Sequence, residues 1–119
     1  MKKVFLIGLL LCALYSCGKK NKTPKGLYSK ATMASFIKDV YLLEAKIDNM
    51  GLPYDSAKKV FTIYEEGLRN KHHIDDSVYR LSFNYYLSNT KEMSKIYNMV
   101  TDSLGIEERL INEKNEKKD

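Results

Sequence analysis

Apolar residues recur at steps of three and four from Ser29 onward, and that period makes this a helical chain. Met33, Phe36, Ile37, Val40, Leu43, Ile47 and Met50 form one series, which lies on a single face of a helix with 3.6 residues per turn. Ser29 or Thr32 is placed to cap its start, and Gly51 suits the left-handed residue that ends many helices. Pro53 keeps Leu52 out of the helical region. A second series, Ala57, Val60, Phe61, Tyr64 and Leu68, follows Asp55 as its cap and stops around 70–73. Glu65 and Arg69 make an i,i+4 ion pair on its expected wet side. Asp75 caps a short third segment through Val78, Leu81, Ser82 and Tyr85, with Ile74 ahead of it to staple the entry. Asn89, with Glu92 three residues on, opens a fourth, in which Met93, Ile96, Tyr97, Val100 and Leu104 precede Gly105. No run alternates with period two for long enough to make a strand. The spacing predicts an all-α protein, a small antiparallel helical bundle of about four helices over residues 28–111. Ile106, Leu110 and Ile111 add a turn or two, and the charged residues 112–119 are expected to be a disordered tail.

The first 16 residues follow a different logic. Met1-Lys2-Lys3 is a basic start, and Val4 to Tyr15 is an apolar run of roughly a dozen residues, too short for the ~20 that cross a bilayer but right for a secretory signal. It closes on Leu14-Tyr15-Ser16-Cys17, which resembles the bacterial lipobox, cleaved before a cysteine that carries diacylglycerol on its thiol. Residues 1–16 are therefore expected to be a lipoprotein signal peptide, and Cys17 the lipidation site. Two or three acyl chains at about 0.8 kcal/mol per buried CH₂ anchor a protein far more firmly than one myristoyl chain. Cys12 leaves with the signal and Cys17 becomes a thioether, so the mature domain is expected to have no free thiol, disulfide or thiolate metal site.

The formal charge of +5 belongs to this N-terminal part. No acidic residue precedes Asp39, and the body from Leu27 onward holds 14 basic and 15 acidic residues. Lys19, Lys20, Lys22 and Lys25 lie in the tether, residues 17–27, where lysines beside a lipid anchor meet anionic head groups at about 1 kcal/mol each. Nucleic acid is not an expected partner. The stretch from Gly18 to Gly26 has no aliphatic residue and reads as a flexible linker. Extended, it reaches at most about 30 Å, so the domain is expected to stay near the membrane. Gly18 is not the aspartate that retains lipoproteins in the inner membrane of the best-studied sorting systems. The basic residues after Cys17 also differ from the acidic ones that surface-exported lipoproteins carry there. That analogy places the chain at the outer membrane, facing the periplasm.

Several short motifs occur in a familiar order. Asp39-Val40-Tyr41-Leu42-Leu43-Glu44-Ala45 is followed by Tyr64-Glu65-Glu66, by Ser82 with Tyr85-Tyr86, and by Ile96-Tyr97 with Val100. The chain from about Leu27 to Leu104 thereby resembles DUF4296, a helical domain of unknown function in small Bacteroidetes lipoproteins. The resemblance implies fold and location and brings no activity with it. His72-His73 departs from it, standing where a glycine-containing turn is more usual.

Candidate chemistry is sparse. His72, His73, Asp75 and Asp76 are close in sequence, but adjacent histidines on a helix point about 100° apart and zinc wants three or four convergent ligands. No metal and no cofactor is expected. Asp39 lies beside the apolar series, where a hydrogen bond to a buried tyrosine such as Tyr85 or Tyr97 is the simplest role. No Ser-His-Asp order, phosphate loop or His-Glu-x-x-His occurs, and no enzyme activity is expected. Nine tyrosines and no tryptophan suit a small core with hydroxyls at its rim, or an aromatic surface for a protein partner. The candidate interaction or polar-core residues are Asp39, Ser82, Tyr85, Tyr86 and Tyr97. The expected function is a non-catalytic, periplasm-facing accessory lipoprotein that binds a protein partner. The alternative is a carrier of a small apolar ligand or lipid within the bundle.

Overall fold

The computed structural model describes residues 24–117. Signal residues 1–16, Cys17 and the tether up to residue 23 lie outside the described residues, as do the last two residues. Four helices follow one another: α1 (Lys30–Asp48), α2 (Tyr54–Lys71), α3 (Asp76–Leu87) and α4 (Thr90–Glu116). The protein is a small all-α bundle with no strand among the described residues.

The ends of the helices follow side-chain capping, with three departures from expectation. Ser29 caps α1, accepting from the Thr32 amide at 3.1 Å, and Asp75 caps α3, accepting from the Val78 amide at 3.0 Å. α2 instead starts from Pro53 without a side-chain cap, and Asp55 sits in its first turn. There the carboxylate still complements the helix dipole, and proline's fixed φ suits a helix entry. Second, residues 24–27, expected to belong to the flexible tether, form a turn. Leu27 N–H donates to the Pro24 carbonyl at 3.4 Å, closing a turn on Gly26 at φ 87°. Third, α4 runs through Gly105 to Glu116, so residues 112–116, expected to be disordered, are helical. Gly105 has a helical neighbour on each side and an established helix to extend, and adding a residue to a formed helix costs little.

α1 is the central helix. It packs against both α2 and α4, and α3 packs against α4. α1 and α2 form an antiparallel hairpin, with Asp39 meeting Lys71 at 2.9 Å. α4 runs alongside α1 in the same direction, because Lys30 pairs with Glu92 near both starts and Lys38 with Glu107 farther along both. The chain achieves this by sending α3, only 12 residues long, across the N-terminal end of α1. α3 begins beside the end of α2, where Arg69 meets Asp76 at 3.3 Å, and hands over to α4 near Lys30.

The core lies between α1, α3 and α4: Met33, Ala34, Ile37, Tyr86, Met93, Ile96 and Val100. Burying side chains of this size stabilises by about 1.5–3 kcal/mol each. α2 has no fully buried residue, and its apolar face is only half covered. Its Arg69 points inward rather than to water. The guanidinium lies 5.5 Å from the ring centroids of both Phe36 and Tyr79 and also bonds Glu65 at 2.8 Å.

The spacing of Asn89 and Glu92, three residues apart at a helix start, is that of a capping box. Asn89 does accept from the Glu92 amide at 3.4 Å. The Glu92 carboxylate, however, takes Lys30 from α1 and Lys95 at 2.5 Å from its own helix. Lys30 occupies the first turn of α1, where a cation is disfavoured by the helix dipole, and Glu92 neutralises it. The two ammonium groups hold the Glu92 carboxyl down to about 2. A folded-state value below the unfolded one gives stability that is complete above about pH 4.5 and fades as pH falls toward 2. Glu92→Gln should therefore flatten the loss of stability between pH 5 and 2 in acid titrations of the denaturation midpoint, relative to wild type.

Candidate functional site

Two features stand apart from simple packing, and they lie at opposite ends of α1. At the N-terminal end, Tyr28 is held on every polar atom. Its amide donates to Ser82 Oγ at 2.9 Å, and its carbonyl accepts from the Tyr86 hydroxyl at 2.9 Å. Its own hydroxyl donates to the His73 carbonyl at 3.2 Å and accepts from the Asp75 amide at 2.8 Å. Ser82 and Tyr86 are one helical turn apart on α3, so both face the same stretch of backbone. Ser82 is fully buried, and its hydroxyl donates to the Val78 carbonyl at 2.7 Å. The segment that enters the domain from residue 23 is therefore clamped to α3 before α1 begins.

The turn after α2 makes this clamp possible. His72 ends the helix and His73 follows at φ 53°. Ile74 N–H reaches back to the Arg69 carbonyl at 2.8 Å and His73 N–H to Asn70 at 3.2 Å, the bonding of a Schellman motif. This is the glycine position of such a turn, occupied by histidine. It leaves the His73 carbonyl facing Tyr28, and Ile74 buried at 8% exposure.

At the other end, α1 and α2 bound a groove of about 420 Å³. Leu42, Leu43 and Ile47 of α1, with Met50 in the turn just after it, form its floor, and Val60, Tyr64 and Leu68 of α2 form one wall. Lys46 lies among the floor residues, and Asp39, Lys71 and Glu107 line the groove as well. The groove lies roughly 20–30 Å from Tyr28 at 1.5 Å per residue of α1.

The predicted polar residues thus fall in three places. Ser82 and Tyr86 act together in the clamp, and Tyr85 packs edge-on against Tyr86 with ring centroids 5.3 Å apart. Tyr97 is 39% exposed on α4, and hydrogen bonding to it, with burial, pushes the Tyr41 hydroxyl up to about 12. Contrary to expectation, Asp39 bonds neither Tyr85 nor Tyr97. Its carboxylate takes Lys71 at 2.9 Å, His72 Nε2 at 2.8 Å and Lys38 at 3.1 Å, because α2 brings its basic C-terminal turn to this level of α1. Burial works against the Asp39 charge, but these three partners more than offset it and hold the carboxyl well below the usual range. The sequence reading missed Tyr28 and the groove. A tyrosine just ahead of a serine cap was the available signal for the first, and Leu42 beside the main apolar series for the second.

Among the described residues no cluster of three or more His, Cys, Asp and Glu side chains is placed to hold a metal ion, and no helix is long and apolar enough to cross a membrane. A family model described as a domain of unknown function, DUF4296, matches residues 24–109. No curated protein and no solved structure matches the chain.

Two measurements check the clamp. Tyr86→Phe strands the Tyr28 carbonyl and should cost about 1–3 kcal/mol in denaturant unfolding, with faster hydrogen exchange at the Tyr28 amide. His73→Gly relieves a left-handed side chain and should raise stability by about 0.5–1 kcal/mol.

Proposed function

The chain belongs to the DUF4296 family of domains of unknown function, and from that premise we propose that it is a non-catalytic lipoprotein of the bacterial envelope, anchored through Cys17 in the outer membrane, facing the periplasm and binding a protein partner. The observation that carries this reading is the separation of the clamp from the groove. The apolar groove lies at the opposite end of α1 from Tyr28, where the chain enters the domain. Apolar surface kept out at such a distance suits a protein surface better than the bilayer that holds the anchor. The lipobox-like Leu14-Tyr15-Ser16-Cys17 and the lysines after it support the anchor. The lack of catalysis is supported by Asp39: three basic partners occupy its carboxylate, which leaves it a poor proton acceptor.

A second reading, carriage of a small apolar ligand or lipid, draws on the same groove. A carrier pocket encloses most of its ligand's surface, whereas this groove is open along one side. Native mass spectrometry of the purified chain selects the carrier reading if a stoichiometric lipid travels with the domain beyond the covalent acyl chains.

The wild-type protein should incorporate labelled palmitate and fractionate with outer membranes, and in-cell crosslinking should give discrete adducts. Cys17→Ala should lose both label and outer-membrane position. Recovery of the acylated protein only as monomer under crosslinking would overturn the binding reading, and unchanged membrane position of Cys17→Ala would overturn the anchor.

A further inference from the structure

The apolar face of α1 meets two different surroundings along its length. Toward its start, Phe36 is covered by Tyr79 edge-on at 5.1 Å, by His72 at 5.8 Å and by the Arg69 guanidinium. The same apolar series continues through Leu43 to Met50, but α3 crosses only the N-terminal end, and among the described residues this half is flanked by α2, with Glu107 of α4 at its edge. Met50 is 56% exposed and Tyr64, on the α2 wall, 60% exposed. A helical bundle covers such a face with a further helix, and among the described residues none occupies that position.

We propose that the groove receives one amphipathic helix of a partner protein, about three turns long, with apolar residues at i, i+3, i+4 and i+7 and a carboxylate opposite Lys46. This rests on the protein-binding reading above and names the partner's chemistry. The length follows from the groove. Its lining on this side runs from Asp39 through Ile47 in α1 to Met50 just beyond it, a span of roughly 15–17 Å at helical rise. The charge follows from its lining. Asp39 is paired with Lys71 and Glu107 with Lys38, so those charges are already matched. Lys46, midway along the floor, has no ion-pair partner among the described residues, and a helix laid over it must supply an acceptor or leave an ammonium group uncompensated.

The test uses the full-length acylated chain in nanodiscs and two stapled 14-residue helical peptides. Both carry leucines at the contact positions, and they differ only in a central glutamate or lysine. Fluorescence anisotropy, corrected for empty nanodiscs, should show wild type preferring the glutamate peptide by about threefold, the range of a partly exposed ion pair. Lys46→Glu should invert that preference, and Tyr64→Ala, at an exposed position that leaves the fold intact, should weaken both peptides. Equal affinities, a preference that survives the charge swap, or binding no greater than to empty nanodiscs would overturn the proposal. So would concentration-dependent self-association lost in Tyr64→Ala, which assigns the groove to a second copy. In cells, a photo-crosslinking residue at Tyr64 should yield adducts. Adducts from Tyr97 alone would sink the groove and leave the protein-binding reading standing; none from either position would sink both.

Discussion

The grip of Ser82 and Tyr86 on the backbone of Tyr28 decides where the rest of this protein goes. Two hydrogen bonds of 2.9 Å tie α3 to the residue before α1. They are made in a largely buried setting, where an unmade bond is expensive. With α3 held across that end, α2 must arrive beside Phe36, and α4 must leave near Lys30. α4 then has only one direction to run, alongside α1. A bundle that simply alternated up and down would have set α4 against the grain of α1 and covered more of the C-terminal half of α1.

Charge serves the same arrangement. Both carboxylates with strongly lowered proton affinity, Asp39 and Glu92, draw their partners partly from other helices. Asp39 joins α1 to the end of α2, and Glu92 joins the start of α4 to the start of α1. Each sits where helix ends converge, so backbone dipoles and side-chain charges meet at close range. Exposed ion pairs are worth little singly. Here they fix the register of helices whose apolar contacts alone allow sliding, since α2 buries none of its residues fully.

The domain thereby acquires two unlike ends. One is dense with hydrogen bonds, takes the incoming chain, and contains a histidine forced into left-handed backbone to complete it. The other keeps leucines, a methionine and a tyrosine beside an open groove. A small domain with no fully covered second helix tolerates such exposure only because its core lies elsewhere, between α1, α3 and α4. The groove is the consequence of α3 being short and placed at one end.

Much of this was legible in the residues. The period of three and four predicts the four helices, and Ser29 or Thr32, Asp75 and Asn89 mark three of their four starts, because capping and periodicity are local matters. The family emerged from short motifs that the match over residues 24–109 supports. Ser82 and Tyr86 are candidate polar residues through the motif of Ser82 with Tyr85-Tyr86, yet nothing in the sequence names Tyr28 as their partner 54 and 58 residues away. Likewise Asp39 is recognisable as a carboxylate beside the apolar series, but two of its three partners, Lys71 and His72, come from the far end of α2. Local chemistry set the helices, their caps and the type of fold. The direction of α4, the clamp and the groove were decided only by tertiary packing, since each depends on which distant backbone or charge the folded chain brings within hydrogen-bonding reach.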